Sequence, residues 1–91
     1  MDKVAWSREL LSLVRKHLPR WRWTSTLRQR GGVLEGKSQK DAVRFIIAYA
    51  RRSWDVQIWL FQKRWIWLDI QRVNSVKELF LFIQYTCNQH P

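Results

Sequence analysis

At 91 residues the chain has room for one domain and no second independent core. Its 46% apolar and 14% aromatic content excludes a disordered chain, its single cysteine, Cys87, excludes an intrachain disulfide, and its longest apolar run, FIIAYA at Phe45–Ala50, falls far short of a membrane span. Seventeen Lys and Arg against seven Asp and Glu leave a formal charge of +10, and a field of one sign draws polyanions, nucleic acid first among them.

Lys3–Leu18 reads as a helix. Val4, Leu11, Val14 and Leu18 keep helical spacing, Leu10 widens the stripe, and Pro19 ends it. Arg20–Arg28, RWRWTSTLR, alternates instead: Trp21, Trp23, Ser25 and Leu27 share one side, and Arg20, Arg22, Thr24, Thr26 and Arg28 the other, the pattern of a strand. From Leu10 to Leu34 there is no acidic residue, so Arg15, Lys16, Arg20, Arg22, Arg28 and Arg30 form an uncompensated basic stretch. Gly31 and Gly32 break the run, and Val33–Gly36 returns as a short partner strand if the two pair.

Ser38 and Asp41 have capping-box spacing, and Val43, Ile46, Ile47 and Ala50 follow as the stripe of a helix ending near Ser53. Trp54–Ile70, WDVQIWLFQKRWIWLDI, reads as two strands joined at Gln62–Arg64. That loop pairs Phe61 with Trp65, Trp59 with Trp67 and Ile58 with Leu68. It puts Val56, Ile58, Leu60, Ile66, Leu68 and Ile70 on one face, and Gln57, Trp59, Phe61, Trp65, Trp67 and Asp69 on the other. A loop one residue shorter would bury Asp69 among aliphatics, an expensive place for a charge. A second capping box, Ser75 with Glu78, opens a last helix whose Val76, Leu79, Phe80, Ile83 and Cys87 form the stripe, with Leu81, Phe82 and Tyr85 adding apolar surface beyond it.

These elements predict an α+β domain in the order α-β-(β)-α-β-β-α: a small antiparallel sheet of three strands, four if Val33–Gly36 pairs, with helices packed on one face. The aromatic side of the hairpin then lies open beside the first strand. Sheets of this kind bind single-stranded RNA and DNA by stacking bases on aromatics, with flanking cations on the phosphates. The expected contacts are Trp59, Phe61, Trp65 and Trp67 for bases, and Arg15, Lys16, Arg20, Arg22, Arg28, Arg30, Lys63 and Arg64 for phosphates. The alternative is a protein-interaction module, such as a homodimer through the aromatic face or the last helix, because monomers rarely leave large apolar patches open.

Enzyme signals are sparse. One cysteine and two histidines do not make a zinc site, and RGGVLEGK lacks the spacing of a phosphate loop. Glu35-x-Lys37 resembles the E-x-K triplet of the PD-(D/E)xK nucleases, in which a carboxylate holds a metal and the lysine supports the attacking water. That family also needs an acid on a preceding strand, which Leu10–Leu34 does not supply, so the resemblance implies at most a degenerate relative. The expectation is a non-enzymatic domain without metal or cofactor. It has no membrane partner and resides in the cytoplasm, since MDKVAWSREL carries charges where a secretory leader needs its apolar run.

Overall fold

Alternating side chains and tight turns dominate the chain between its first and last helices, and a computed structural model, which describes residues 5–90, shows the result. The elements are α1 (Ala5–His17), β1 (Arg22–Ser25), β2 (Gly31–Lys37), β3 (Ala42–Ala50), β4 (Ser53–Phe61), β5 (Trp65–Val73) and α2 (Val76–Gln89). The strands form one five-stranded antiparallel sheet in chain order, with β1 and β5 as its two edges. Both helices pack on the same face. Leu10 and Val14 of α1 and Leu79, Ile83 and Cys87 of α2 meet Trp23, Leu34, Val43, Phe45, Ile47, Val56, Ile58 and Leu60 of the sheet in one core. Neither helix is long and apolar enough to cross a membrane.

The expected three- or four-stranded sheet with a helix at its middle is therefore corrected: Ser38–Ser53 forms no helix, and its centre is β3. The i, i+3, i+4, i+7 stripe was ambiguous, because Val43, Phe45, Ile47 and Tyr49 also alternate strictly with Arg44, Ile46, Ala48 and Ala50. β-Branched and aromatic residues fit a pleated surface better than a helix. Ser38 does accept a hydrogen bond from the Asp41 N–H at 2.9 Å, as a capping hydroxyl would. The Ser38 N–H, however, donates to the Asp41 carbonyl at 2.8 Å, which closes a hairpin turn between β2 and β3. Making β3 a strand also gives Val33–Gly36 a partner on each side, since β2 pairs with both β1 and β3.

Local chemistry explains the other boundaries. The Leu18 N–H bonds to the Val14 carbonyl at 2.8 Å, and Pro19 stops α1. The expected start at Lys3 and the stripe residue Val4 lie outside the described residues. Gly36 stands opposite Trp23, whose ring lies so close that a Cβ at Gly36 would meet it at 2.8 Å. Gly31 has φ 129°, a conformation L side chains rarely adopt. The β3–β4 turn carries Arg51 at φ 53° and Arg52 at φ 63°, positions usually filled by Asn and Gly. At α2, Ser75 accepts from the Glu78 N–H at 3.0 Å, while the Glu78 carboxylate accepts from the Asn74 N–H at 2.8 Å.

The β4–β5 hairpin turns at Gln62–Arg64 and pairs Phe61 with Trp65 and Trp59 with Trp67. Beyond that point the expected register fails. Leu68 is an extra residue opposite no partner, so Ile58 faces Asp69, Gln57 faces Ile70 and Asp55 faces Arg72. This β-bulge reverses the parity of the rest of β5. Ile70 turns to the aromatic face, and Asp69 to the helix side. Asp69 escapes the burial cost because the helices do not cover this edge, and it stays exposed.

Candidate functional site on the open sheet face

Strand pairing arranges the uncovered face in transverse rows. The first row runs Arg22, Lys37, Ala42, Phe61, Trp65, and the second Thr24, Glu35, Arg44, Trp59, Trp67. The third carries Val33, Ile46, Gln57 and Ile70, and the fourth Gly31, Ala48, Asp55 and Arg72. Four aromatic side chains thus form a block on β4 and β5, and cations occupy the β1–β3 side of the same two rows. Trp67 is 51% and Phe61 42% exposed, while Trp59 and Trp65 are half-buried by their neighbours.

Polar contacts hold the block in place. The Arg44 guanidinium lies 4.0 Å from the centroid of the Trp65 ring, a cation–π contact. Glu35 orients it by accepting from Arg44 Nε at 3.2 Å and from Nη2 at 3.0 Å. Lys37 Nζ stands 3.6 Å from the other Glu35 oxygen. Phe61 meets Trp65 edge-on at 5.3 Å between centroids, and Trp59 Nε1 donates to Gln57 Oε1 at 3.3 Å. At the far row the hydrogen bond from Arg72, 2.8 Å from Asp55 Oδ1, holds the Asp55 carboxyl below its usual range and raises the guanidinium in turn.

The expected site residues fall into separate groups. Trp59, Phe61, Trp65 and Trp67 come together, with Lys63 and Arg64 in the loop at their rim. Arg22 shares the face, but β1 is the opposite edge of the sheet from β5, not its neighbour, because β2, β3 and β4 intervene. Arg20 precedes β1 at the same end of the sheet. Arg28 and Arg30 lie at the β1–β2 turn, at the other end, beside the Arg51–Arg52 turn: the Tyr49 N–H bonds to the Arg30 carbonyl at 2.9 Å. Arg15 and Lys16 are on the last turn of α1, across the sheet from the aromatics, and the structure does not bring them to this face.

Sequence reasoning missed Arg44, Ile46 and Ile70. Period-two alternation in VRFIIAYA would have placed the first two; nothing in the parity of β5 marks the bulge that moves the third. The E-x-K pair lies on β2 with both side chains on the open face, but Glu35 is engaged by Arg44 and Lys37. Among the described residues no three His, Cys, Asp or Glu side chains gather into a metal-binding group. Cys87 lies in the core, where burial pushes its thiol up to about 12 and keeps it in the unreactive form. Family models, curated proteins and solved structures contain no match to this chain, so the geometry of the open face carries the functional reading.

Proposed function

We propose that the protein is a non-enzymatic domain that binds single-stranded nucleic acid on its open sheet face. One observation carries this reading: the Trp59, Phe61, Trp65 and Trp67 block is left uncovered by both helices and shares its rows with Arg44, Lys37 and Arg22. Unpaired bases have a π-face for the aromatics, and the cations in line with them suit the phosphates. Trp67 and Phe61 are the stacking groups. The Arg44–Trp65 pair supplies a flat cationic surface beside them. Lys63 and Arg64 at one rim, and Arg30, Arg51 and Arg52 at the other end of the sheet, extend the positive field. The reading goes with a cytoplasmic location, where a lone thiol stays reduced.

The test is a fluorescence-anisotropy titration of labelled single- and double-stranded oligonucleotides over a series of salt concentrations. Single strands should bind more tightly than duplex, and log K should fall linearly with log salt. Absence of binding to either at about 50 mM salt sinks the proposal.

A second reading, a homodimer through the same face, is favoured by the third row, where Val33, Ile46 and Ile70 offer aliphatic surface that bases do not need. Sedimentation separates the two. An apolar dimer persists at high salt and is broken by Trp67→Arg, whereas nucleic-acid binding weakens steeply with salt.

A further inference from the structure

The α1–β1 connection and the β2–β3 turn form the two walls of a notch at the end of the sheet where β1 begins. One part, of about 330 Å³, is lined by Arg20, Trp21, Ser38, Gln39 and Lys40. The adjoining part, of about 580 Å³, is lined by Pro19, Arg20, Arg22, Lys37, Ser38 and Gln39. Arg20, Arg22, Lys37 and Lys40 thus bring four positive charges to its walls, and no carboxylate of the described residues lines it. Of these four cations, only Lys37 has a carboxylate among the described residues within reach, Glu35 at 3.6 Å, and that carboxylate is shared with Arg44. Asp41, the next residue after Lys40, lines the neighbouring hollow on the open face instead.

Both walls are held by hydrogen bonds. The Leu18 carbonyl accepts from the Trp21 N–H at 3.2 Å and from Trp23 Nε1 at 3.1 Å, which fixes the connection. Ser38 Oγ accepts from the Lys40 and Asp41 N–H groups at 3.3 and 2.9 Å and donates to the Asp41 carbonyl at 3.2 Å, which fixes the turn. Arg22 and Lys37 also belong to the row that ends in Phe61 and Trp65. The notch is therefore a corner of the aromatic face: its β1 side lies four strand spacings, about 19 Å, from Trp65, and its wall of Ser38, Gln39 and Lys40 also lines the hollow that holds Phe61 and Trp65.

Building on the single-strand reading above, we infer that this notch holds the terminal phosphate of a strand whose bases lie on the aromatic block. A phosphomonoester carries about −1.5 to −2 charges at neutral pH, where an internal diester carries one, and several cations without a carboxylate match the larger charge. The guanidinium forks of Arg20 and Arg22 suit its oxygens.

The experiment compares single-stranded oligonucleotides with a 5′-phosphate, a 3′-phosphate or hydroxyls at both ends, each labelled internally, against wild type and the Arg20→Gln/Lys40→Gln double variant. Both substituted residues are exposed and off the aromatic block, so the fold is retained. Wild type should bind one phosphorylated form about tenfold more tightly than the hydroxyl form, and the double variant should erase that preference, binding all three ends alike, with any general loss of affinity common to all of them. Inorganic phosphate at constant ionic strength should compete away the preference. Equal affinity for all three ends, with Trp67→Leu still weakening each of them, overturns the notch and leaves the aromatic face standing. Indifference to both the phosphate and Trp67→Leu overturns both. A preference that survives in the double variant places the phosphate elsewhere and overturns the assignment.

Discussion

Leu60 and Phe61 are adjacent on β4 and end in opposite surroundings: Leu60 is 2% exposed beneath the helices, and Phe61 is 42% exposed on the far side. The same contrast holds across the sheet. The helix side is closed with Leu34, Val43, Phe45, Ile47, Val56 and Ile58, which lose nearly all contact with water. The far side carries Trp59, Phe61, Trp65 and Trp67, of which Phe61 and Trp67 stay largely in water. Burial alone would favour covering the rings first, since each removes more apolar area than an aliphatic side chain. The chain covers Trp21, Trp23, Phe45 and Trp54 in this way but leaves Phe61 and Trp67 out, and Arg44, Glu35 and Gln57 hold the neighbouring Trp65 and Trp59 by polar contacts. One face holds the fold together by packing, and the other holds a shape by polar contacts.

The strongest test of this division is a pair of neighbouring substitutions. Leu60→Asp should unfold the domain by placing an unpaired charge in the core, while Phe61→Ser should cost about 1 kcal/mol or less, both read by urea denaturation followed by circular dichroism. Equal unfolding by the two would show that both faces are structural. Next in size, Trp67→Leu should weaken single-strand binding by about 1–3 kcal/mol with an unchanged salt slope and unchanged duplex binding. Arg44→Gln should cost about 1 kcal/mol of stability, because Glu35 keeps only Lys37 at 3.6 Å, and should quench-shift the fluorescence of Trp65 as the guanidinium leaves its ring.

The smallest effect concerns Asp55 and Arg72 at the far row. Hydrogen bonding to Arg72 lowers the Asp55 pKa below its ordinary 3.8, so the pair's contribution is present above that value and is lost as pH falls through the lowered one. Arg72→Gln should return the Asp55 carboxyl toward its ordinary titration, followed by NMR of the side-chain carboxyl carbon. No change in the titration would remove this pair from the contacts that order the open face.

Parity made the first half of the β4–β5 hairpin legible, because its two faces differ in residue type; the charge of Asp69 was no guide to the loop, since Asp69 lies on the helix side and stays exposed. The extra residue at Leu68 was not legible: an insertion in one strand is visible only against its partner. Leu68 is 39% exposed, so Leu68→Asp, damaging if the simple alternation had continued, should be nearly harmless. The middle of the chain failed for another reason. Ser38 caps a turn with the same hydroxyl geometry that caps a helix, and Val43, Ile46, Ile47 and Ala50 keep the helical period while Val43, Phe45, Ile47 and Tyr49 keep the strand period, so local signals could not choose. Misreading β3 moved β1 next to the hairpin and hid Arg44, the cation nearest the tryptophans. The aromatic members of the site were legible because bulk and alternation carry position. Arg15 and Lys16 were grouped with them because charge does not.

The bulge in β5 has a consequence for solubility. A nine-residue edge strand that begins Trp65-Ile66-Trp67-Leu68, without proline or glycine, is the kind of edge on which further chains add and fibres grow. The unpaired Leu68 interrupts the ladder there, and the reversal it causes sets the Asp69 carboxylate on the helix side, where an incoming strand would need an apolar residue. A protein that carries four aromatic rings on an uncovered face, Phe61 and Trp67 largely in water, must guard its border against copies of itself, and one inserted leucine supplies that guard.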